Sequence, residues 1–254
     1  MKKVFKIIIW MIVFSGIIYA LYFVSKRQSE IKCSEFSILI DFNNSEPLIS
    51  KKDITSELSA IIDTIKGKYI SEIPIMKMED VLNENPFIEN VDVFSALGGK
   101  IKIRIFQKHP VIRITNTKNR SIYLDKNGSV MPAGKGFPAR VLIANGYIYP
   151  PLENLVDTNI FHYRIMKDVF EIANFIHQDK FLNAQIEQIF VTQNNEFELI
   201  PKLGNHIIKF GEINKMGEKF KKLIAFYKKG KYNDGLTKYK TLNLKYKNQI
   251  ICTK

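Results

Sequence analysis

Residues 85–107 read NPFIENVDVFSALGGKIKIRIFQ, and two strands are legible in them. Val91 and Val93 point one way; beyond Leu97-Gly98-Gly99, Ile101, Ile103 and Ile105 do so too, against Lys100, Lys102, Arg104 and Phe106. A period of two residues marks a strand with one buried face. The Gly-Gly pair suits the positive φ angles of a tight hairpin. Asn85-Pro86 ends the preceding element, because the residue before a proline is driven out of the helical region. That element is a short helix over residues 78–84 that buries Met78, Val81 and Leu82. Further upstream, Ser50 caps a helix with Ile54, Leu58, Ile61, Ile62 and Ile65 on one face, and Gly67 stands at its C-terminal end. Asn43, Asn44, Ser45 and Pro47 form a turn, and Phe36, Ile38 and Ile40 alternate as a first strand. Residues 35–109 therefore read as a β-α-α-β-β module of about 75 residues, a size that can still fold alone.

Residues 7–24 carry no charge. As a helix they span about 27 Å, close to the hydrocarbon thickness of a bilayer. Trp10, Tyr19 and Tyr22 are the candidate interfacial anchors. Lys2, Lys3 and Lys6 precede the run, and Lys26 and Arg27 follow it, so charge favours a cytoplasmic N-terminus by a small margin. A cleaved signal would end in small residues, whereas Ala20 is flanked by Tyr19, Leu21, Tyr22 and Phe23. The reading is a cytoplasmic tail (1–6), one transmembrane helix (7–24) and a linker (25–34), with the rest outside the cytoplasm.

From Lys108-His109-Pro110 onward the pattern is mostly β. Short strands are expected around Val111, Ile112, Arg113 and Ile114, around Ile122, Tyr123 and Leu124, and around Val141, Leu142 and Ile143. A turn at Asp125, Lys126, Asn127 and Gly128 follows the second, and residues 131–138, rich in Gly and Pro, are expected to be loop. A helix carries Phe161, Ile165, Val169, Ile172 and Ile176, with Asn159 as its cap. Strands at 186–191 and 197–201 flank Gln193-Asn194-Asn195, and Ile207, Ile208 and Phe210 form the next. A last helix presents Ile213, Met216, Phe220, Leu223, Ile224 and Tyr227 on one side and lysine on the other, ending in the stretch from Gly230 to Gly235. Tyr239, Leu242, Leu244 and Tyr246 lead to a final segment, 249–252. Residues 110–254 thus form a mostly antiparallel β domain with two packed helices. The fold class is α+β.

A hydrophobic fraction of 46% is enough for real cores. Two cysteines, Cys33 and Cys252, are too few for a disulfide framework, and nothing in the sequence brings them together. The net charge is +13, and residues 202–254 hold 14 lysines against Glu212, Glu218 and Asp234. That tract reads as a solvated lysine face, with an anionic lipid surface or an acidic protein as the alternative. A nucleic acid is not an expected partner outside the cytoplasm, and arginine is absent from the tract.

His109, His162, His177 and His206 lack the spacing of metal ligands, and no nucleophile elbow or phosphate loop is present. No catalytic, metal or cofactor site is expected. A binding role fits better: sheet edges can accept a partner strand, both in the first module and at the final strand, although Lys240, Lys245 and Lys247 would also serve to blunt an edge.

The order of these parts resembles the FtsQ/DivIB family of bacterial cell-division proteins. The resemblance rests on Asn85-Pro86-Phe87-Ile88-Glu89-Asn90-Val91-Asp92-Val93, then Leu97, residues 100–106, Lys108-His109-Pro110 and Arg113. It continues through Tyr123-Leu124-Asp125-Lys126-Asn127-Gly128 and Pro132. It implies that the first module is a POTRA domain. It also implies a non-catalytic component of the division machinery that binds the small coiled-coil proteins FtsB/DivIC and FtsL at the septum. By the same resemblance, Leu244, Lys245, Tyr246, Lys247 and Asn248 form a C-terminal strand that receives a partner strand. The sequence departs from the family at Gln107, where many members carry glutamate, and lacks the late tryptophan of some members. The rival readings are a POTRA-containing envelope assembly or secretion factor and a cell-wall enzyme.

Overall fold

The computed structural model describes residues 2–29, 31–43, 46–65, 67–133, 139–152, 160–230 and 239–254. The chain divides into two compact units, Met1–Gln107 and Lys108–Lys254.

The first unit begins with helix α1, Lys2–Ser29. It runs past both ends of the apolar stretch, through the expected tail and into the expected linker, because Lys, Arg and Gln are good helix formers. Its span Lys6–Lys26 is apolar and none of it is buried against the protein, which fits a single-pass membrane protein. Then come β1 (Glu35–Asp41), α2 (Lys51–Glu57), α3 (Ser59–Ile65), a 3-10 turn at Ile70–Glu72, α4 (Ile75–Asn83), β2 (Ile88–Ala96) and β3 (Lys100–Gln107). The sheet order is β1-β3-β2, with β1 parallel and β2 antiparallel to β3. Ile101, Ile103 and Ile105 of the central strand are fully buried with Ile54, Leu58, Met78 and Leu82 of the helical layer.

Local chemistry explains the helices. Ser50 Oγ accepts from the Asp53 amide at 3.3 Å, and Asp53 Oδ2 accepts from the Ser50 amide at 2.8 Å. This reciprocal box satisfies donors that the first turn leaves open. The expected single helix breaks at Leu58, where Thr55 Oγ1 donates to the Lys51 carbonyl and Ser59 Oγ to the Ser56 carbonyl, in competition with the backbone ladder. Helix α4 starts at Ile75, three residues earlier than expected, directly after Pro74. Cys33, expected in the linker, is buried in this core. Gln107 is fully buried: its Oε1 accepts from the amides of Leu48 (2.7 Å) and Ile49 (3.3 Å), and its Nε2 donates to the Glu46 carbonyl (3.0 Å). An ionised carboxylate at this position could accept those two bonds but not donate the third, which gives the departure from glutamate a physical sense.

The second unit comprises β4 (Pro110–Thr115), β5 (Ser121–Asp125), β6 (Val130–Pro132), β7 (Leu142–Gly146), α5 (Arg164–Gln178), α6 (Lys180–Gln185), β8 (Ile186–Val191), β9 (Phe197–Pro201), β10 (Ile207–Gly211), α7 (Met216–Gly230), β11 (Thr241–Asn243) and β12 (Ile251–Thr253). The sheet order is β12-β11-β10-β9-β8-β7-β4-β5-β6. The β4–β7, β7–β8 and β10–β11 contacts are parallel and the others antiparallel. Met166, Val169, Ile172, Ala173 and Ile176 of α5, with Phe220, Leu223 and Tyr227 of α7, share one core with Ile112, Ile114, Ile189, Leu199, Ile208 and Leu242 of the sheet.

Four details differ from the sequence reading. Met131 and Pro132 are not loop: they pair with Tyr123 and Ile122 as part of β6, an edge strand where proline is tolerated. Helix α5 starts at Arg164, leaving Phe161 in a 3-10 turn, Ile160–His162, against Phe170. Helix α6 was not legible: at six residues it is too short to show a period, and Asp179 caps it. Helix α7 starts at Met216, so Ile213 precedes it. Asn44 and Ser45 of the expected first turn, residues 134–138 of the expected loop, the expected cap Asn159 and residues 231–235 lie outside the described residues. The β5–β6 turn follows from its residues: Asp125 Oδ1 accepts from the amides of Asn127 and Ser129, both at 2.8 Å. Gly128 has φ +82°, and a Cβ there would lie 2.4 Å from the Phe161 ring.

Candidate partner-binding edge

Leu244, Lys245, Tyr246, Lys247 and Asn248 do not form a strand. They belong to the connection between β11 and β12, with Asn248 at φ +58°. The edge of the sheet is β12, whose described strand neighbour is β11. The fully buried Leu244 is still tied to β10, its amide donating to the Lys209 carbonyl at 3.0 Å, and the chain turns after it.

A single side chain organises the connection. Lys222 Nζ, from α7, donates to the carbonyls of Leu244 (3.0 Å), Tyr246 (2.5 Å) and Gln249 (3.3 Å). Three donors of one ammonium meet three carbonyls, so the chain curls around the lysine and returns as β12. Burial lowers the Lys222 pKa, with Glu218 opposing. On the other side, Lys245 Nζ pairs with both carboxylate oxygens of Glu196 at 2.9 Å, and its stem lies against Gly211, where a Cβ would come within 2.7 Å of it. Lys240 donates from its amide to the Thr253 carbonyl at 2.8 Å, and the hydroxyls of Thr241 and Thr253 meet at 2.5 Å. The large apolar side chains left outward are Tyr246, 48% exposed, and Ile251, 40% exposed. Cys252 is half-buried, and burial raises its thiol pKa; Cys33 and Cys252 are both free.

The lysines of α7 do not all face solvent as expected. Lys221 and Lys228 do, but Lys219 is buried: its Nζ donates to the Glu212 carbonyl (2.6 Å) and Asn214 Oδ1 (3.1 Å) and lies 5.0 Å from the Phe210 ring centre. Burial lowers its pKa, partly offset by Glu212. Sequence reasoning missed Lys219, Lys222 and Glu196. For Lys222 the partners lie 22 to 27 residues away, so no local pattern announces them.

Elsewhere, a cleft of about 380 Å³ in the second unit is lined by Asp168 and Glu212 among others, with Arg164 Nε 3.7 Å from Asp168. Among the described residues, no group of three or more His, Cys, Asp and Glu side chains could hold a metal ion. Trp10, Tyr19 and Tyr22 stand exposed along α1, Trp10 at 72%.

The fold places this chain in a class first: residues 31–106 match the model of the POTRA-like domain. Residues 109–253, more than half of the chain, match the model of the FtsQ/DivIB C-terminal related domain. The chain belongs to the FtsQ/DivIB family and is a cell-division protein of the FtsQ type. Comparison with curated proteins finds no match.

Proposed function

We propose that this protein is a non-catalytic scaffold of the division machinery that recruits its partners by strand addition at the C-terminal edge of its second unit. The observation that carries the reading is an open edge strand, β12, in a chain of this family. An extended partner segment alongside Ile251–Thr253 would gain main-chain hydrogen bonds, with side chains supplying specificity. Tyr246, Lys247 and Asn248 flank that edge as the turn leading into it, and Lys245 and Leu244 fix the turn from within. The partners are small anchored coiled-coil proteins of the FtsB/DivIC and FtsL kind, together with other members of the division machinery. Residues 1–6 lie in the cytoplasm, residues 7–24 span the membrane with Trp10, Tyr19 and Tyr22 as interfacial anchors, and residues 35–109 and 110–254 act outside it at the septum.

The test is co-purification of the full chain from membranes with its FtsB/DivIC-like partner. Tyr246→Glu and Cys252→Pro are each expected to cut recovery of the partner by at least about tenfold: the first puts a charge beside the edge, and the second removes an outward-facing amide, since Ile251 and Thr253 are the residues that face β11. Midcell enrichment of the wild-type protein is expected in dividing cells. Undiminished partner recovery by both variants, with the fold intact by circular dichroism, would sink the edge assignment.

A further inference from the structure

The β2–β3 hairpin is tied to the chain that leaves the membrane anchor. Only Glu30 separates the end of α1 at Ser29 from Ile31. From Ile31 the chain is held by the first unit: the Ile70 amide donates to the Ile31 carbonyl (2.9 Å), Lys32 bridges Tyr69, and the Cys33 amide donates to the Lys68 carbonyl (2.8 Å). The Ser34 amide donates to the Gly99 carbonyl (2.9 Å), and its hydroxyl reaches the Gly98 carbonyl (3.2 Å). Gly99, at φ +78°, approaches so closely that a Cβ would lie 2.4 Å from the Lys32 carbonyl oxygen. Topology agrees: β1 and β3 start, and β2 ends, at the end of the sheet where the chain enters.

Three large apolar side chains are exposed on these stitched segments: Leu97 at 85%, Tyr69 at 44% and Ile31 at 37%. Exposed Lys32 and Lys68 stand among them. Among the described residues, Glu35 at the start of β1 is held by Lys100 at 2.6 Å, and Glu72 is exposed on the following 3-10 turn. An apolar tip rimmed by lysine is the chemistry of a surface that sits in a headgroup layer.

We infer that this end of the POTRA-like unit rests on the membrane: the Leu97 hairpin tip, Tyr69 and Ile31 insert into the interfacial layer, and Lys32 and Lys68 contact anionic phospholipid headgroups. The occupant follows from chain continuity. The apolar span ends at Lys26, and the patch begins at Ile31, so the segment between them is too short to carry the patch far from the bilayer. The membrane-spanning reading of α1 is the premise.

The test uses the full chain in nanodiscs of phosphatidylcholine with or without phosphatidylglycerol, each carrying spin-labelled quencher lipids. Native Trp10, the only tryptophan, reports the anchor; Leu97→Trp in a Trp10→Phe background reports the tip. Asn90→Trp in that background reports the opposite end of β2, about 20 Å along the strand. The expected result is quenching of Leu97→Trp by shallow quenchers, stronger with phosphatidylglycerol, and no quenching of Asn90→Trp. Lys32→Glu with Lys68→Glu should remove the phosphatidylglycerol-dependent part. Leu97→Trp quenched no more than Asn90→Trp, while Trp10 is quenched by the labelled lipids, overturns this inference alone. Equal quenching with and without phosphatidylglycerol overturns the headgroup assignment. An unquenched Trp10 overturns the premise.

Discussion

β2 and β3 pair over eight registered residues and join through three, whereas β11 and β12 pair over three and join through seven. The first hairpin is written in its own sequence: every second residue of β3 is buried, and two glycines at positive φ close the turn. The second has no such code. A three-residue pair is too short to hold by its own ladder. Its return path is set by Lys222 from α7, by Lys245 on Glu196 and by the contact of Leu244 with β10. One hairpin is a core element that shapes its surroundings, the other an edge element shaped by them. The division suits the strand addition proposed above, because local stability falls where few buried contacts hold a segment, and such segments are free to adapt to a partner.

The largest effect should come from the first hairpin. Ile103→Ala removes a fully buried side chain from the central strand and should cost the first unit about 2–5 kcal/mol in denaturant unfolding. A loss well below that range would mean that the hairpin is not the centre of its core. Lys222→Met should be milder, about 1–3 kcal/mol for charge-assisted bonds to three carbonyls. Amide hydrogen exchange should quicken across β11 and β12 and remain unchanged in β2 and β3. Uniform quickening, or none in β12, would break the contrast between the hairpins.

The smallest effect concerns Ser50→Ala, which removes one half of the α2 capping box and should cost about 1 kcal/mol. The pKa of Asp53 is lowered by hydrogen bonds from the Ser50 side chain and backbone. Its contribution is therefore complete above the unfolded carboxylate pKa and is lost as pH falls through the lowered folded value. In an acid titration the wild type should lose this increment and Ser50→Ala should show a shallower slope. Identical acid slopes would remove Asp53 from the account of α2.

Much of this was legible beforehand. Strand β3 follows the predicted alternation and α5 the predicted spacing, because each is long enough to repeat its period against one core, and β8 and β9 occupy the predicted spans. The break at Leu58, the six-residue α6 and the early start of α4 were not, since each depends on caps and side-chain bonds that one or two residues decide. At the candidate site the sequence predicted a strand over residues 244–248, and the structure has the connection between β11 and β12 there. Leu242, Leu244 and Tyr246 alternate as a strand would, yet Leu244 enters the core and Tyr246 sits in a turn.

By itself, then, the sequence determined the apolar helix, the order of one strand, a helical stretch and a β-hairpin in the first unit and the mostly antiparallel sheet of the second, because periodic burial is a local property of the chain. Only the tertiary structure decided that Lys219 and Lys222 turn inward, that residues 244–248 are a connection rather than a strand and that β12 is the last strand of the described sheet. Those outcomes rest on contacts between segments far apart in sequence, where a lysine finds carbonyls to neutralise its burial and a three-residue strand finds a neighbour.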